Sequence, residues 1–125
     1  MNYESPVVNG MGDYSRDFTY IDNVIQMNEL AMLTEDPSAI NTVYNTAVGD
    51  RTTLNTLIDY LKQFLSDFDL KIKDIKIIHG PNRQGDIPHS LASIDKAKSL
   101  LNYQPTHTID KGLKEAVKWY WENLK

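Results

Sequence analysis

Gly10-Met11-Gly12-Asp13-Tyr14-Ser15-Arg16-Asp17-Phe18-Thr19-Tyr20-Ile21 is the stretch on which the fold turns. Closely spaced glycines after the apolar step Val7-Val8 superficially suggest a dinucleotide fingerprint. Such a fingerprint needs a buried strand before the glycines, a helix straight after them and a final glycine or alanine, so that a helix N-terminus meets the pyrophosphate. Here the apolar step is short, the last small position is Ser15, and Ser15-Arg16-Asp17-Phe18 leads into Phe18–Ile21, which reads as a strand. The stretch is therefore a glycine turn, and the chain does not open on a nucleotide-binding βαβ unit.

Downstream, Asp22 is placed to cap a helix carrying Val24, Met27 and Ala31 on one face, and Pro37 prevents that helix from continuing. Residues 42–48 (TVYNTAV) are rich in β-branched side chains and read as a strand. Thr52 or Thr53 then caps the clearest helix of the chain, with Leu54, Leu57, Ile58, Leu61, Phe64, Leu65 and Phe68 in a 3.6-residue stripe. Ile72 to Ile78 reads as a strand with one wet face, and Gly80 to His89 as a polar loop. Ser93 or Asp95 begins a short helix with Ala97, Leu100 and Leu101, and a last helix follows Pro105 with Leu113, Ala116, Val117, Tyr120 and Leu124 inward. Short strands separated by helices predict a mixed α/β fold.

The chain has 125 residues, a length suited to one compact domain. Its net charge of -4 argues against a general affinity for nucleic acid or acidic membrane surfaces. No apolar run approaches the roughly 18 residues needed to span a membrane, and the N-terminus lacks the basic-then-apolar pattern of a signal peptide. Cysteine is absent, which removes disulfides, thiolate ligands and thiol nucleophiles and fits a cytoplasmic location.

The three arginines, Arg16, Arg51 and Arg83, fall in expected loops or at element ends, whereas lysines lie mostly on helix and strand surfaces. Arginine's rigid fork of donors matches phosphate or carboxylate. Two readings stay open: anion binding, or ion pairs with Asp17, Asp50 and Asp86. His79, His89 and His107 show no metal-ligand spacing with one another or with a carboxylate cluster, so they read as surface or loop residues and predict no metal site. Ser90 beside His89 is adjacency, not a nucleophile–base pair. No tyrosine has a lysine four residues downstream. Tyr120 reads as core, and Trp119 and Trp121 as partly buried.

Taken together, five motifs resemble the extended short-chain dehydrogenase/reductases, the NAD-dependent nucleotide-sugar epimerases and dehydratases. Gly10 to Ile21 resembles their G-x-G-x-x-x-R-D-F/Y-x-Y-V/I motif, and Tyr44-Asn45-Thr46-Ala47-Val48-Gly49 their Y-N-x-A/G-x-G strand and turn. Arg83-Gln84-Gly85-Asp86-Ile87-Pro88-His89-Ser90 resembles R-x-G-D-x-x-x-S, and residues 96–105 (KAKSLLNYQP) resemble K-A-x-x-L-L-G-Y-x-P. Gly112-Leu113 and Trp119-Tyr120 match the terminal helix. The resemblance covers essentially the whole chain, and residues 49–55 with His89-Ser90 look most like bacterial UDP-N-acetylglucosamine 4-epimerases of surface-polysaccharide synthesis. Asn23 stands where the family usually has aspartate, and Asn102 where it has glycine; Asn also visits left-handed backbone.

The family's glycine fingerprint and catalytic Tyr-x-x-x-Lys do not occur here, so the resemblance implies a small mixed α/β substrate-binding domain over residues 1–125 without its Rossmann half, a truncated piece of a longer enzyme. It implies no NAD site and no catalytic residue in this chain, with NAD belonging to the parent enzyme. Arg16 and Arg83 would clamp the diphosphate of a UDP-sugar, UDP-N-acetylglucosamine or UDP-N-acetylgalactosamine. Asp86 would accept from ribose hydroxyls, and Val8 and Asn9 would line the uracil pocket. Ser90 would leave room for an N-acetyl group where some hexose epimerases of the family carry tyrosine. The alternatives are another nucleotide-sugar epimerase, dehydratase or decarboxylase, a stand-alone nucleotide-sugar binding module, or a structural fragment with apolar surface exposed for the Rossmann half.

Overall fold

The computed structural model of the chain describes residues 3–124. Its elements run β1 (Val7–Asn9), β2 (Ser15–Arg16), α1 (Ile21–Leu33), β3 (Thr52–Thr53), α2 (Leu54–Ser66), a 3₁₀ turn (Leu70–Asp74), β4 (Ile78–Gly80), α3 (Asp95–Leu101) and α4 (Ile109–Asn123). This is the expected small mixed α/β architecture. β1 pairs in parallel with β4, Val8 opposite His79, and β2 pairs antiparallel with β3, Arg16 opposite Thr52. β2 also receives a third segment through the Ser15–His89 bridge.

The helices are set by local chemistry. Thr53 caps α2: its hydroxyl accepts from the Thr56 amide at 3.1 Å, which satisfies one orphan donor of the first turn. α3 ends at Asn102 in left-handed backbone (φ 54°), as its replacement of a glycine allows. The main core cluster joins Met27 of α1, Ala39, Ala47, Ile94, Ala97, Leu101 and Tyr103. Tyr103 is fully buried and donates its hydroxyl to the Ala47 carbonyl at 2.8 Å. Burial first, and the charge of Asp17 second, raise its phenol pKa. α2 packs against the 3₁₀ turn and α4, with Phe68 stacked on Trp121 at 5.3 Å.

Several elements differ from the sequence reading. Phe18–Ile21 is not a strand: the β2 ladder stops at Arg16, and Ile21 already opens α1. Asp22 does not cap that helix; Tyr20 is the N-cap residue, and Asp22 sits in the first turn. The buried face of α1 carries Asn23 and Met27, and Ala31 is exposed. Residues 42–48 run without a ladder partner. Side chains take up some of the backbone groups here: Asp17 accepts from the amides of Val48 and the adjoining Gly49 at 3.0 and 2.9 Å, and Lys96 donates to the Val43 carbonyl at 3.0 Å. Within 72–78 only Ile78 joins a strand, because Asp69 accepts from the Lys71 amide at 2.9 Å and starts a 3₁₀ turn there. Tyr120, expected in the core, is 55% exposed and meets Trp119 edge-on at 5.2 Å.

Candidate nucleotide-sugar site

The glycine turn behaves as read. Gly10 and Gly12 take φ of 71° and 75°, a region open to glycine at no steric cost, and they lead into β2, not into a helix. A Cβ on Gly10 would lie 2.1 Å from Asn82 Oδ1, so the turn after β1 is pressed against the loop after β4. The Gly10 amide faces the carbonyls of Gly80 and Pro81 at 3.1 and 3.2 Å. Without a helix N-terminus beyond it, the turn aims no row of free amides at a pyrophosphate, and these residues do not fit NAD.

β2 is the organising strand of the site. The Ser15 amide donates to the Pro88 carbonyl at 2.9 Å, and the Ser90 amide donates to the Ser15 carbonyl at 3.1 Å. Ser15 is 4% exposed, and its hydroxyl meets His89 Nδ1 at 2.9 Å. These bonds lay the 83–90 loop alongside Arg16. Arg16 Nη2 contacts Asp86 Oδ1 at 2.5 Å, with both side chains partly exposed, and Arg16 Nη1 donates to the Ser15 carbonyl at 2.8 Å. The Asp86 amide donates to the Arg83 carbonyl at 3.2 Å, closing a turn around Gly85 (φ 78°). Arg16, Asp86 and Ser90 therefore share one strip, and Arg83 projects from the exposed turn at its edge. Asn9 is exposed at the end of β1, while Val8 is buried with its side chain in the core.

The ion-pair reading of the arginines is realised at Arg16 through Asp86. Asp17 is instead committed to backbone amides, and Asp50 accepts from the Arg51 amide at 2.7 Å. Arg51 lines a separate pocket of about 410 Å³ with Asp50, Thr53, Tyr60 and Asp110. An apolar groove of about 330 Å³ runs nearby between Leu57, Leu61, Leu113 and Tyr20. Arg16, Arg83, Asp86 and Ser90 line neither.

Two arrangements were invisible in the spacing. Ser15 and His89 meet although far apart in sequence. His107, read as a surface or loop residue, is buried and faces Asp22 and Glu115. Ser15–His89 and Asp22–His107 each join distant segments, which no local pattern signals.

This fold is that of the C-terminal part of much longer epimerase structures, and the chain's homologues and structural neighbours include UDP-sugar 4-epimerases of the extended short-chain dehydrogenase/reductase type. Among solved structures, UDP-glucose 4-epimerase of Thermotoga maritima with UDP-glucose is 32% identical, with a TM-score of 0.84 over 98% of this chain and 37% of that chain. UDP-N-acetylglucosamine 4-epimerase of Methanobrevibacter ruminantium, in complex with UDP-N-acetylmuramic acid, is 33% identical with a TM-score of 0.82, over 97% of this chain and 36% of that one. UDP-glucuronate 4-epimerase 5 of Arabidopsis thaliana is 31% identical over 94% of this chain and 28% of its own length. The chain thus spans about a third of the proteins it matches. No family model matches it. Among the described residues, no helix is long and apolar enough to cross a membrane.

Proposed function

We propose that residues 1–125 form the substrate-binding part of a cytoplasmic, NAD-dependent UDP-N-acetylglucosamine 4-epimerase of polysaccharide synthesis, working with a Rossmann half that supplies NAD and the catalytic tyrosine. The observation that carries this reading is the strip on β2, where the R-D-F and R-x-G-D motifs meet through Arg16 and Asp86. Arg16 and Arg83 grip the diphosphate with charge-assisted hydrogen bonds. Asp86 divides its acceptor capacity between Arg16 and the ribose hydroxyls, and so holds the arginine fork in place before a ligand arrives. Asn9 and the backbone beside Val8 meet the uracil, since the Val8 side chain itself is turned inward. Ser90 faces the sugar. NAD, bound in the Rossmann half, takes up and returns the C4 hydride. The residues here keep the nucleotide handle fixed so that the sugar can turn without leaving reach.

The test is a UDP titration followed by NMR. Binding is expected to be weak, because part of the pocket belongs to the other half and the exposed 83–86 turn must be ordered. Shifts should centre on Arg16, Arg83 and Asp86. Arg16→Ala or Arg83→Ala should each remove about 1.5–3 kcal/mol of binding, roughly a factor of ten or more. Shifts clustered elsewhere, or unchanged in both variants, would overturn the assignment.

The Arabidopsis relative's name favours a second substrate, a UDP-hexuronate. Turnover of UDP-N-acetylglucosamine against UDP-glucuronate, in an enzyme where this chain is joined to a Rossmann half, separates the two.

A further inference from the structure

We propose that Asp22, His107 and Glu115 form a binding site for a first-row divalent cation, best represented by zinc, that staples α1 to the start of α4. The site lies apart from the Arg16 strip and does not depend on the nucleotide-sugar reading. Asp22 stands in the first turn of α1, His107 just before α4, and Glu115 inside α4. His107 Nε2 lies 3.3 Å from Glu115 Oε1 and 3.8 Å from Asp22 Oδ2, and one ligand atom from each residue falls within 4.8 Å of the others. In a tetrahedral zinc site with bonds of about 2.0–2.2 Å, neighbouring ligand atoms stand roughly 3.3–3.6 Å apart. The two distances from His107 already approach this spacing, and the Asp22–Glu115 pair is within 4.8 Å. Both carboxylates are about half exposed, at 50% and 47%, so rotamer changes close the remainder.

The histidine is held as a ligand needs to be. Its side chain is 10% exposed, and its ring lies 4.8 Å from that of Tyr20. Nδ1 meets Thr106 Oγ1 at 2.9 Å, which leaves Nε2 pointed at the carboxylates. Such an anchor on the second nitrogen fixes ring orientation and tautomer in metal sites. The backbone is fixed as well. Buried Asn23 donates to the His107 carbonyl at 2.7 Å and accepts from the amides of Thr106 and His107 at 2.9 and 3.1 Å. Two carboxylates converging on one nitrogen concentrate negative charge. One nitrogen and two oxygens suit zinc and its neighbours and suit magnesium poorly, since magnesium prefers an oxygen shell and keeps its waters. The exposed carboxylate side leaves the fourth position to water.

Calorimetric titration of the chain with Zn²⁺ at neutral pH, paired with NMR of the histidine rings, tests this. The expected result is saturable one-to-one binding with the His107 ring shifting most, and a melting temperature that rises with zinc. Excess Mg²⁺ should not compete. Glu115→Gln, an exposed and isosteric change, should weaken zinc by about tenfold or more, and Asp22→Asn should act likewise. His107→Gln should abolish binding. The absence of saturable binding would show that His107 serves only as a counter-ion to the two carboxylates. Shifts confined to His79 or His89, or an affinity unchanged in both Glu115→Gln and Asp22→Asn, would equally overturn the site.

Discussion

On the proposed function, a single side chain, Ser90, bears on which sugar the strip accepts. Its amide closes the ladder to Ser15, so its Cα is fixed beside Arg16 and Asp86. In that proposal its small hydroxyl leaves space and a hydrogen-bonding partner for an acetamido group. A tyrosine would fill that space. Overfilling a packed site costs about 1–3 kcal/mol, which corresponds to roughly tenfold or more in kcat/KM. In an enzyme restored by joining this chain to a Rossmann half, Ser90→Tyr is expected to depress turnover of UDP-N-acetyl sugars far more than that of UDP-glucose or UDP-galactose. Steady-state kinetics on both sugar classes check this, and equal loss for both would remove Ser90 from the acetamido preference.

At the level of elements, α4 is seated by a close approach. Gly112 is buried, and a Cβ added there would lie 2.6 Å from the Tyr20 Cβ. Two effects compete in Gly112→Ala. Alanine stabilises a helix interior by about 1 kcal/mol relative to glycine. Against this, a 2.6 Å contact to the stem of a side chain cannot be relieved by rotation, so the helix or residues 19–21 must shift, at about 1–3 kcal/mol. The clash is the larger effect. Gly112→Ala should therefore destabilise the chain by about 1 kcal/mol, measured as a lower urea midpoint with an unchanged slope. A stabilised variant would show that α4 is not seated against Tyr20.

Across the whole molecule, much apolar surface is left uncovered. Of the long stripe on α2 only Phe64 is buried, and the groove beside it continues past Tyr20 and Ala116 to the exposed Trp119 and Tyr120. Contiguous apolar surface of this kind marks interaction faces, and it agrees with the proposal that another half completes the enzyme. The same proposal sets the chain's own limits. With a glycine turn that enters a strand and no Tyr-x-x-x-Lys, the chain should neither bind NAD at micromolar concentrations nor turn over UDP-N-acetylglucosamine. Calorimetry with NAD and a turnover assay check both. Micromolar NAD binding or steady turnover would sink this division of labour.

What the sequence determined by itself is local. The α2 stripe with its Thr53 cap, the positive-φ glycine turn and the left-handed Asn102 each follow from contacts within a few residues, where periodicity, capping and backbone sterics act directly. The motif order also pointed to the family, although its site residues sit far apart in the chain. The fates of 42–48 and 72–78 were not legible, because β-branched composition describes a half-buried extended surface and does not say whether a partner strand will be there. Distant side chains supplied the partners of 42–48, with Asp17 holding the Val48 and Gly49 amides. The pairing of Arg16 with Asp86 and the meeting of Asp22, His107 and Glu115 were likewise decided only in three dimensions. Arg16 with Asp86, and Asp22 with His107, join segments separated by more than half of the chain, and chain closure, not local propensity, brings such groups together.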